Sequence, residues 1–137
     1  MTKLAASLWN RATEALAAAR HVLGVSPDAA ASRAYCAAFY AVSALFAFQG
    51  KRFRKHSALE AAVHRDLVRP GVWPAELGQR FSDLVAARQA GDYGEDVGVT
   101  KAEAIRSVAA AEDILQAVAR AHPEAFPPVP ERGPDST

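Results

Sequence analysis

Residues 31–48 carry a single charge, Arg33. A stretch this apolar and this long forms a helix that packs on more than one side. Tyr35, Phe39, Val42 and Phe46 fall on one side of such a helix, and Arg33, Ala37, Tyr40 and Ala44 on another. The helix is therefore expected at the centre of the fold. An unpaired guanidinium is very costly to bury, so Arg33 needs a carboxylate, a carbonyl, a phosphate or water. Asp92 is the candidate partner within the chain, and a phosphate the candidate from outside. The spacing of Arg33 and Tyr40, two helical turns apart, favours a closed ion-pair network with Asp92 over a phosphate site.

The surrounding sequence supplies more helices. Leu4, Leu8, Ala12, Ala15, Leu16, Ala19 and Leu23 recur at three- and four-residue spacing, which predicts a helix over residues 3–23, ended by Gly24. Ser26-Pro27-Asp28 has the composition of a helix start: a cap, a proline in the first turn and an acid at the positive end. The second helix is expected over residues 27–49, with Gly50 stopping it. Ser57 and Glu60 have capping-box spacing, which predicts a third helix over 57–68. A turn rich in proline and glycine separates it from a fourth helix over 75–90, with Leu77, Phe81, Leu84 and Val85 inward. Residues 91–99, with three glycines and three acids, read as a loop. Thr100 and Glu103 form a second capping box, and a fifth helix is expected over 101–121. No strand-like alternation occurs. The expected fold is all-α, an antiparallel up-and-down bundle of four to five helices spanning residues 1–121. Residues 122–137, with five prolines, read as a disordered tail.

At 137 residues the chain has the length of one domain. Sixteen basic and fifteen acidic residues give a net charge of +1, which argues against a surface that is basic all over but allows a local patch. One cysteine, Cys36, fits a reducing compartment, and no leader-like N-terminus is present, so a cytoplasmic protein is expected. Arg33, Tyr35, Tyr40 and Ser43 make the apolar helix a poor membrane span, and no membrane partner is expected. Trp9 and Trp73 read as core or interface anchors. The four histidines and one cysteine lack metal-ligand spacing, and no phosphate-cradling glycine loop or nucleophile elbow occurs. No metal or cofactor is expected.

Two segments can carry chemistry at a phosphodiester, which needs a cation for developing charge and groups that move protons. One is Arg88-Gln89-Ala90-Gly91-Asp92-Tyr93. The other is Lys51-Arg52-Phe53-Arg54-Lys55-His56, where Arg54 and Lys55 can hold a nucleic-acid backbone and Phe53 can stack a base. The position of His56 at the start of a helix favours its neutral form. The plain alternatives are an ordinary Arg88–Asp92 pair and a solvated basic loop.

Ser32-Arg33-Ala34-Tyr35 running into Ala38-Phe39-Tyr40-Ala41, then Gly50, then Lys55-His56-Ser57, then Arg88-Gln89-Ala90-Gly91-Asp92-Tyr93, resembles the HEPN domain, a nucleotide-binding domain of higher eukaryotes and prokaryotes. The order is similar to that of its small stand-alone prokaryotic members and covers residues 3–121. The resemblance implies a helical bundle, a homodimer, and in many members a metal-independent endoribonuclease acting as a toxin beside a nucleotidyltransferase antitoxin. It places Arg88 at the family's catalytic arginine and Gln89 at the polar residue after it. Tyr93, preceded by Asp92, stands where the family has its histidine, which leaves proton transfer to His56 or Tyr93. Arg33, Tyr40, Arg54 and Lys55 are then expected to orient the phosphate of an RNA or nucleotide. The competing expectation is a non-catalytic binding module in which Arg33, Tyr40, Arg88, Asp92 and Tyr93 form a structural network.

Overall fold

The computed structural model describes residues 2–93 and 98–129. Among these residues the chain is all-α, with five helices and no strand: α1 (Thr2–Val22), α2 (Pro27–Phe48), α3 (His56–Ala62, continuing as a π-helical turn, Val63–Val68), α4 (Ala75–Tyr93) and α5 (Lys101–Ala121). Helix α2 is central and packs against α1, α4 and α5. The reason lies in its alanines. Eight of them, at positions 30, 31, 34, 37, 38, 41, 44 and 47, are buried. Methyl-sized side chains let neighbouring helices approach on several sides. By length and composition α2 could cross a membrane, but most of it is buried inside the bundle.

Arg33 is a correction to the expectation of a buried ion. It lies exposed on the outer surface of α2, and its guanidinium donates to Cys36 Sγ at 3.4 Å, not to Asp92. One charge in an apolar helix sits at no cost where that helix meets solvent.

The caps of α2 and α5 form as their sequences dictate. Ser26 accepts from the Ala29 N–H, and Thr100 and Glu103 form a reciprocal capping box. The third helix differs. It starts one residue early, at His56, with Lys55 at the cap position and no side-chain cap bond. Glu60 instead accepts from the Ser82 hydroxyl on α4 (3.0 Å), which in turn meets His64 Nε2 at 2.9 Å. Helix α4 also runs through Gly91 to Tyr93, beyond the expected boundary. Gly91 lies against the backbone of Asp28, where an added Cβ would come within 3.2 Å of the carbonyl oxygen. The glycine thus serves close packing rather than a turn. Nearby, Gly98 takes a positive φ of 67°, and the Val99 N–H donates to Asp28 Oδ1 at 2.7 Å. Residues 94–97 of the expected loop lie outside the described residues.

Both tryptophans are buried. The segment following α5 folds back over α1. Phe126 is fully buried with its ring 5.2 Å from that of Trp9, and Trp9 Nε1 donates to the Pro127 carbonyl at 3.2 Å. Burial of a side chain of this size contributes about 1.5–3 kcal/mol. A single buried aromatic leaves no periodic signal, so nothing in the sequence separates residues 122–129 from the rest of the tail. Residues 130–137 lie outside the described residues.

The π-helical turn presses Val68 and His64 onto Gly78 of α4. A Cβ there would lie 2.5 Å from Val68 Cγ2, a stiff branched side chain. Gly-to-Ala in a helix usually stabilises by about 1 kcal/mol. At this contact overpacking, at about 1–3 kcal/mol, outweighs that gain. Gly78→Ala is expected to lower the thermal midpoint by several degrees in a calorimetric scan; a raised midpoint would contradict the tight contact.

Candidate functional site

Three helices each send one side chain to a common point. Tyr35 comes from α2, His56 from the first turn of α3, and Arg88 from α4. Tyr35 is buried, yet its hydroxyl reaches His56 Nδ1 at 2.7 Å. The Arg88 guanidinium lies over the Tyr35 ring, 5.2 Å from its centre, within the range of a cation–π contact. Phe39, one turn on from Tyr35, stacks on the imidazole at 4.2 Å between ring centres. Asp92 pairs with Arg88, Oδ2 to Nε, at 3.2 Å. His56 is exposed and Arg88 half-buried, so the cluster is open to solvent.

Local chemistry sets the charge states. Burial pushes the Tyr35 phenol up to about 12, with the Arg88 guanidinium pulling the other way, so the hydroxyl stays neutral. Partial desolvation, followed by the positive charge of Arg88, holds His56 below the ordinary histidine range. A neutral imidazole has one donor nitrogen and one acceptor nitrogen. If Nδ1–H donates to the Tyr35 oxygen, the Nε2 lone pair is left as a proton acceptor. The site then combines a fixed cation, a neutral base and a neutral hydroxyl that orients the base.

Of the candidate residues, His56, Arg88 and Asp92 come together, joined by Tyr35 from the apolar stripe of α2. A tyrosine in an apolar stripe gives no sign that its hydroxyl emerges beside another helix. Arg33 and Tyr40 stand apart from this cluster. Arg33 contacts Cys36 as described, and the half-buried Tyr40 lies under the Arg11 guanidinium at 5.9 Å and edge-on to Phe39. Arg54 and Lys55 are exposed just before His56. The side chain of Tyr93 lies outside the described residues. Among the described residues no group of three or more His, Cys, Asp or Glu side chains can hold a metal ion.

The HEPN domain family matches residues 5–121 of the chain. A Thermotoga maritima protein designated UPF0332 is 38% identical over 89 residues, covering 65% of this chain and 67% of that protein.

Two outcomes follow from the charge states. Arg88→Gln is expected to raise the His56 pKa toward the ordinary value of about 6.5, read from the imidazole C–H shifts in an NMR titration. An unchanged value would show that the two groups do not sense each other. Because folding lowers the pKa of His56, the unfolded chain takes up this proton first as pH falls. Stability is therefore lost from about pH 6.5 downward until the folded site is protonated too. His56→Gln is expected to flatten that stretch of the unfolding free energy against pH, measured by urea titration.

Proposed function

The chain belongs to the HEPN domain family, and on that premise we propose that it binds RNA at the Arg88–Tyr35–His56 cluster and cuts it without a metal. The observation that carries this reading is the convergence of a neutral, solvent-facing imidazole and a guanidinium on one buried tyrosine. Neutral His56 takes the proton of an RNA 2′-hydroxyl through Nε2. The 2′-oxygen bonds to the adjacent phosphorus, and the bond from phosphorus to the 5′-oxygen breaks. The leaving oxygen takes a proton from water. A 2′,3′-cyclic phosphate and a 5′-hydroxyl result. Arg88 offsets the charge that develops on the phosphoryl oxygens, and Asp92 fixes its direction. Tyr35 holds His56 in the tautomer that a base requires. Arg54 and Lys55, just before His56, supply backbone contacts.

A second reading rests on the contacts Arg88 already makes to Asp92 and Tyr35. These suit a non-catalytic nucleotide-binding or partner-binding module whose polar groups are structural. In either case we propose a cytoplasmic homodimer; on the RNA-cutting reading a nucleotidyltransferase is the antitoxin, with the Tyr93 hydroxyl as its target. An adjacent nucleotidyltransferase gene would favour the pairing. Mass spectrometry of co-expressed protein with no added mass on Tyr93 would count against the modification.

Incubation of the purified protein with RNA decides between the two readings. The wild type is expected to give cyclic-phosphate ends. Arg88→Ala and His56→Ala are each expected to slow cutting about 100-fold or more, the range of a lost charge stabiliser or proton-transfer group. Equal cutting by wild type and Arg88→Ala, or no cutting by either, would sink the enzyme reading.

A further inference from the structure

Phe39, which stacks on His56, also lines a slot of about 130 Å³ on the same surface. Leu4 and Leu8 of α1 form one wall and Phe53 another. Phe53 is held edge-on against the buried Phe46 ring, centres 5.1 Å apart, so that wall is fixed rather than loose. Half-buried Ser43 lines the slot from α2, and the exposed Lys51 and Arg52 line it as well.

Size, charge and continuity select one occupant. A cavity of about 150 Å³ with apolar walls holds a benzene ring. The slot therefore takes one flat ring and is well below the roughly 300–1,000 Å³ of a site for a whole ligand. Leucine and phenylalanine walls alone would also suit an apolar side chain of a protein. The charge distinguishes them: Lys51 and Arg52 line the slot, and exposed Arg54 and Lys55 follow in the same five-residue run, a match for a polyanion. Because Phe39 belongs to both places, a ring in the slot sits one side chain away from His56.

We propose that this slot receives one nucleobase of a single-stranded RNA, beside the phosphate held by Arg88 and His56. The assignment rests on the RNA reading above and adds the element that holds the strand in register. Stacking on aromatic side chains accepts any base, while Ser43 offers one hydrogen bond to a base edge.

The test uses the full chain and short 2′-O-methyl oligonucleotides, which lack the attacking hydroxyl and remain uncut. Fluorescence anisotropy compares oligouridylate with an abasic strand of the same length. The abasic strand is expected to bind about tenfold more weakly, within the range that base stacking supplies. Ser43→Leu, which fills the slot, is expected to erase that difference. Equal binding of both strands by the wild type would overturn the slot and leave the phosphate site standing. Binding of neither strand would overturn both. If Ser43→Leu turns a dimer into a monomer by light scattering yet keeps the base preference, the slot is a protein interface and the proposal falls. The wild-type comparison needs no variant, and Leu8→Phe provides a second filled slot should Ser43→Leu fail to fold.

Discussion

The alanines of α2 let three other helices share one axis. Each inward methyl draws a neighbour closer than leucine would, and the result is a thin core packed at short range. A helix enclosed in this way has little room for large inward side chains, and Tyr35 is one of the few it carries. The ring fills space between α2 and α4, while the hydroxyl has to find a partner because a buried phenol without one is costly. It finds His56 at the surface. The demand for a satisfied hydroxyl inside the bundle thus fixes the angle of an imidazole outside it.

The same tyrosine allows the site to be charged without burying charge. Arg88 rests on the ring face rather than inside the core, and Asp92 meets it from the next turn of α4. Alone, a half-exposed pair at this spacing contributes only a few tenths of a kcal/mol. Its value is directional: together with the ring below, the carboxylate restricts where the guanidinium points. His56 is the group whose charge responds to pH, and partial desolvation, with the nearby cation second, keeps it neutral where an isolated histidine would begin to protonate.

Much of this was legible in the chain. Ser26 and Thr100 announce two helix starts because capping is a local event, settled within four residues. The apolar stripes gave the number of helices for the same reason. Gly91 did not reveal itself, because a glycine kept for close contact with Asp28 is identical in sequence to one kept for a turn. The Ser57–Glu60 spacing suggested a capping box, but Glu60 is engaged by Ser82 across the bundle, and a tertiary bond overrode the local one. Arg33 is isolated in an apolar stretch, yet it falls on the one side of α2 that meets water. His56 and Arg88 were both candidates from their residue types and settings. Their common anchor, Tyr35, was hidden in the stripe that defined the core.

The π-helical turn after α3 has a bearing on this geometry. Its wider winding places one more residue between His56 and the Trp73 anchor than an α-helix would use for the same rise. It therefore sets the rotational phase of α3 against α4. Consecutive residues of an α-helix are separated by about 100° around its axis. Rewinding that turn as α-helix with all its residues kept would swing the first turn of α3 by roughly that angle and carry the imidazole away from the phenol. The alignment of the site is then held at a distance, by a count of residues in a segment that touches none of its reacting groups.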